Sequence, residues 1–166
     1  MLETVTRYVE GMPGVRAGHD LRRILLPFAD CFSSVALTSA GLVINAGGAT
    51  VPKIGASDFY CLANGVLVKI AAGTALPALT VVAADAGMYQ VACYYVDAAG
   101  TVTVSGGYQG ATIGTVKFPQ FPIRKALIGF LLITYASPFV GGTTPLDTAT
   151  TLYFSPVGAL DPTVLP

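Results

Sequence analysis

Residues 88–96 read Met-Tyr-Gln-Val-Ala-Cys-Tyr-Tyr-Val, and residues 126–135 read Ala-Leu-Ile-Gly-Phe-Leu-Leu-Ile-Thr-Tyr. A strand with one face in water alternates apolar with polar residues. These two runs do not. Val91, Cys93 and Tyr95 point one way and Ala92, Tyr94 and Val96 the other. Leu127, Gly129, Leu131 and Ile133 oppose Ile128, Phe130 and Leu132. Both runs therefore predict strands covered on both faces. In a chain of 166 residues the second cover is expected from another subunit, with Tyr94, Tyr95, Phe130 and Leu132 at the subunit interface.

Shorter β-type runs surround them, cut by Gly and Pro and rich in Val, Ile, Thr, Tyr and Phe. Residues 34–38 and 42–45 flank Ser39-Ala40-Gly41, which suits a short turn. Residues 58–62 and 66–70 flank Asn64-Gly65, the strongest short hairpin signal, because a type I′ turn needs positive φ at both central residues. Asp97-Ala-Ala-Gly100 predicts a second tight hairpin, between 88–96 and 101–104. Residues 150–154 predict the last strand. Residues 76–86 are ambiguous: Pro77 permits a first helical turn, but the β-branched Thr80, Val81 and Val82 favour strand or loop. The expected class is all-β, with a β-sandwich or jelly-roll-like body.

Charge divides the chain. Eight of its eighteen charged residues fall in the first 30 positions. We read 1–32 as an N-terminal arm, extended or with short helices broken by Gly11, Pro13 and Pro27, 33–155 as the β body, and 156–166 as an extended, proline-rich tail. The helical pieces are too short to be stable alone in water, so the arm needs a surface to lie on. Arg16, Leu21, Arg22, Arg23, Leu25 and Phe28 are its candidate contacts, with arginine suited to bidentate capture of carboxylates.

Composition sharpens this picture. Hydrophobic residues make up 53% and charged residues 11% of the chain, against roughly 25% charged in soluble domains. The longest apolar run, Ala126 to Ala136, is far short of the roughly 20 residues of a spanning helix. The two-sided apolar strands do not match a barrel with a polar lumen. No membrane association is expected, and burial against other protein chains is the better account. The N-terminus lacks the basic and apolar regions of a signal peptide, so the chain is expected to be made in the cytoplasm. Zero net charge without a basic stripe argues against nucleic-acid binding.

The chemistry is sparse. The one histidine, His19, sits in the arm. The G-x-S-x-G elbow and the G-x-x-x-x-G-K-[ST] loop are absent. The glycine-rich stretch 105–114 is followed by Pro119 and Pro122 rather than by the helix that a phosphate cradle needs, and reads as a flexible surface loop. Asp58, Asp85, Asp97, Asp147 and Asp161 stand singly in turn-like contexts. Cys31, Cys61 and Cys93 lack metal-ligand spacing and read as free thiols. Tyr60, Tyr89, Tyr94, Tyr95 and Tyr108 fit strand packing and interfaces better than a sugar platform. No enzyme, cofactor or metal is expected.

Four stretches are similar to a loosely related group of tailed-bacteriophage virion proteins, the capsid decoration (cement) and head-fibre proteins. They are Tyr60 to Leu79, Tyr94 to Val104 with its D-x-x-G turn, Lys125 to Ile133 with Ile128-Gly129-Phe130, and Phe139 to Asp147 with its G-T-T-x-L-D pattern. The resemblance covers about 60–150 and leaves out the arm. It implies homotrimers on the capsid outer surface that reinforce contacts between copies of the major capsid protein, with no catalytic residues. The alternative expectation is a tail or head fibre domain that binds a host-surface glycan.

Overall fold

The structure, a computed structural model, describes residues 33–158. The arm contacts Arg16, Leu21, Arg22, Arg23, Leu25 and Phe28, together with His19, Cys31 and the tail from residue 159, lie outside the described residues. Eleven strands follow in order: β1 (Val35–Ala36), β2 (Val43–Ile44), β3 (Pro52–Lys53), β4 (Phe59–Ala63), β5 (Val66–Ile70), β6 (Ala83–Ala84), β7 (Tyr89–Val96), β8 (Val102–Gly106), β9 (Ala126–Thr134), β10 (Phe139–Val140) and β11 (Thr150–Phe154). The fold is all-β and sandwich-like. Two antiparallel sheets dominate, one ordered β1-β4-β5 and one ordered β11-β9-β7-β8, with two further two-stranded pairs, β2-β3 and β6-β10.

The inner faces of the two main sheets share one core. Phe59 and Cys61 of β4 and Val68 and Ile70 of β5 belong to the same cluster as Tyr94 of β7 and Ile128 and Leu131 of β9. The opposite face of the four-stranded sheet carries a second cluster of Val91, Cys93, Tyr95, Leu127 and Phe130, against which Val116, Phe118 and Phe121 pack. These last three belong to the segment between β8 and β9. The four-stranded sheet therefore lies between a sheet and a strap of its own chain, and its central strands are apolar on both faces for that reason.

A β-bulge changes the expected facing of β9. Tyr94 pairs with Gly129 and Tyr95 with Leu127, which leaves Ile128 as an extra residue. Ile128 and Gly129 therefore lie toward the same side, and Ile128 joins Leu131 and Ile133 in the first core while Leu127 joins Phe130 in the second. Simple alternation placed Leu127 with Leu131 and Ile128 with Phe130. Gly129 is needed there because a Cβ at this position would overlap the Phe154 carbonyl and Leu42 Cδ1.

The two strongest turn signals hold. Asn64 and Gly65 have φ of 51° and 76°, as a type I′ turn requires, and Ala63 pairs with Val66 across it. Asp97 Oδ1 accepts hydrogen bonds from the Ala99 and Thr101 N–H groups, both at 3.0 Å, and closes the β7–β8 hairpin. Residues 39–41 do not form a hairpin. β1 pairs with β4 and β2 with β3, because Ser39 Oγ and the Leu42 N–H bind Ser155 at the end of β11 and separate the two runs. Residues 76–86 are loop apart from β6, which pairs with β10.

The glycine-rich stretch is not a flexible loop either. The Gly107 N–H donates to Val91 O, Tyr89 and Gly110 exchange both backbone hydrogen bonds, and Tyr108 bridges to Lys117. A Cβ at Gly107 would overlap Lys117 O and Val91. Glycine serves close backbone approach here, which lets the strap lie flat on the sheet.

Candidate interaction surfaces

The aspartates of the body are used locally. Asp58 Oδ2 meets Lys69 Nζ at 2.7 Å, and Asp58 Oδ1 accepts from the Ala72 N–H at 2.9 Å. Lys69 and this backbone bond hold the Asp58 carboxyl below its usual range, and Asp58 in turn raises Lys69. Asp85 accepts from Gln109 Nε2 at 2.7 Å, and Asp147 Oδ2 accepts from the Gly48 N–H at 2.7 Å. Among the described residues no group of three His, Cys, Asp or Glu side chains is placed to hold a metal ion.

Cys61 and Cys93 are buried free thiols. Burial pushes Cys61 up to about 11. It pushes Cys93 up to about 12, against a smaller downward pull from Tyr95. Thiols so far from ionisation are packing groups rather than nucleophiles or ligands. Tyr94 is fully buried, its hydroxyl donates to Pro77 O at 3.0 Å, and burial followed by Tyr153 raises its pKa. Among the described tyrosines Tyr108 alone is largely exposed. A single exposed ring does not make a stacking platform.

The residues expected at a subunit interface divide into two kinds. Tyr94 and Tyr95 have 0% of their surface exposed in the single chain, so a neighbouring subunit has nothing of them to bury. Their cover is internal: Tyr94 sits in the core between the sheets, and Tyr95 meets Phe121 of the strap edge-on with centroids 5.2 Å apart. Two-sided hydrophobicity reports that a strand is covered, not which chain covers it. Phe130 and Leu132, at 8% and 9% exposed, lie at the margin of this cover.

Next to them is a surface that the sequence reading passed over. Among the described residues β11 is an edge strand, paired only with β9, and its register sets Leu152 opposite Leu132 and Phe154 opposite Phe130. Leu152 and Phe154 are 47% and 40% exposed, while Tyr153 between them turns inward and packs on the first core. The strand Thr-Thr-Leu-Tyr-Phe carries no charge and no proline, the devices that usually protect a free edge. That absence was the readable signal. A second apolar row, Val35, Leu62 and Leu67, crosses the outer face of the three-stranded sheet, with Leu67 62% exposed.

No family model, curated protein or solved structure matches this chain.

Proposed function

We propose that the chain is a virion structural protein that decorates and stabilises the outer surface of a phage capsid as an oligomer, with the major capsid protein as its partner. The observation that carries this reading is the apolar surface at the β11 edge. Leu152 and Phe154 extend the buried row of Phe130 and Leu132 to the molecular surface, on a body with very few charged residues. Such a surface gains by burial against another protein, on the order of 25 cal/mol for each Å² removed from water. The subunit contact in this proposal is β11 with the margin residues Phe130 and Leu132, and a homotrimer is the expected assembly. The charged arm, with Arg16, Arg22 and Arg23, is the proposed attachment to the shell. The motif resemblance of residues 60–150 to cement and head-fibre proteins, read from the sequence alone, motivates the same reading.

Imaging of virions together with add-back of purified protein to undecorated capsids tests it. Full-length protein is expected to occupy the outer surface, and protein lacking residues 1–18 to remain folded and oligomeric but leave the capsids bare. Full occupancy by the truncated protein would place the attachment on the β body.

A further inference from the structure

Asn64-Gly65 is the only Asn-Gly step in the chain, and Asn45 is the only other asparagine. Asn-Gly is the sequence most open to deamidation, since glycine offers no side chain to block attack by its own backbone nitrogen. In that reaction the Gly65 nitrogen bonds to the Asn64 side-chain carbonyl carbon and gives up its proton, and ammonia leaves. Water then opens the five-membered imide at either carbonyl, leaving aspartate or isoaspartate at position 64. The nucleophile is thus the Gly65 amide, and the reaction needs it free.

Here it is engaged. Both residues of the turn are exposed to water, with open space around Gly65, yet the Gly65 N–H donates to Ser33 O at 2.7 Å. The Asn64 N–H donates to Ser34 Oγ at 3.1 Å. Both hydrogen bonds come from the stretch that leads into β1. We infer that Asn64-Gly65 is a latent deamidation site held inactive by the Ser33 carbonyl, so that conversion at Asn64 records release of the Ser33–Ser34 stretch from the β4–β5 turn. An isoaspartyl link adds a backbone atom within a two-residue turn whose register depends on its length. Conversion would therefore loosen the hairpin and make the release hard to reverse. This inference stands independently of the capsid proposal.

The test uses the full chain in buffered water, with peptide mapping for aspartate and isoaspartate at position 64, conversion at Asn45 as internal reference, and amide hydrogen exchange at Gly65. In native conditions conversion is expected to be about ten-fold or more slower than in the urea-unfolded chain, the protection of roughly two hydrogen bonds. Below the global transition, conversion is expected to rise with urea in step with Gly65 exchange. Ser34→Ala is expected to speed both about five-fold, as loss of one hydrogen bond predicts. Native conversion at the unfolded rate overturns the inference. So does conversion that follows exchange of the β9 core amides instead of Gly65, or a Ser34→Ala chain in which Gly65 exchange rises and conversion does not.

Discussion

The ring of Phe154 lies nearly parallel to that of Phe130, with centroids 4.7 Å apart and planes 14° apart, while Phe118 meets Phe130 edge-on at 5.1 Å. An aromatic row thus runs from the strap, through the middle of the sheet, to the exposed edge strand. Aromatic pairs of this kind contribute about 0.5–1.5 kcal/mol beyond simple burial. The row also joins the second core to the surface on which the proposed assembly depends.

The double substitution Leu152→Ser with Phe154→Ser separates assembly from folding. Both side chains are exposed by more than a third, so the loss of stability should stay near 1–2 kcal/mol. Sedimentation should show the oligomer dissociating while urea unfolding stays cooperative. An oligomer of unchanged size would remove β11 from the interface.

Gly129→Ala introduces a methyl group where the Phe154 carbonyl and Leu42 already stand. Overpacking of this kind typically costs about 1–3 kcal/mol. The damage should concentrate on β11, seen as faster amide exchange at Leu152 and Phe154 than in β7. Unchanged stability would mean that β11 shifts without penalty.

Gly65→Val places a β-branched residue at φ 76°. A type I′ turn disfavours it, and the cost should be about 1 kcal/mol or more. The midpoint of urea unfolding measures it. A chain that unfolds at the wild-type midpoint would show that the turn accommodates the side chain.

The buried thiols give an alkaline limit. Their folded pKa values lie above the ordinary 9.0, at about 11 for Cys61 and about 12 for Cys93. The native state therefore prefers the protonated thiol. Its contribution to stability is fully present below 9.0 and is lost as pH rises through the folded values. The melting temperature should fall across that window, and Cys61→Ala with Cys93→Ala should flatten the fall, even though the cavities they leave lower the starting value. Tyr94, raised in the same direction by burial, should keep part of the slope. A melting temperature level across the window would show that neither thiol is held protonated by the fold.

Local chemistry made much of this protein readable from its residues. Asn64-Gly65 and Asp97 with Gly100 dictate their hairpins through positive φ and side-chain hydrogen bonds within a few positions, so they need no distant partner. The lack of alternation in β7 and β9 required burial on both faces, and both faces are buried. Periodicity carries no label for the covering chain, however. Only the tertiary structure placed Phe118 and Phe121 of the strap over Phe130 and Tyr95 and so removed Tyr94 and Tyr95 from any interface. Pairing across the chain likewise decided that Ile128 bulges, that Ser155 separates β1 from β2, and that β11 pairs with β9 alone among the described strands. Each of these depends on contacts between residues far apart in sequence, where hydrophobic pattern alone leaves several partners equally good.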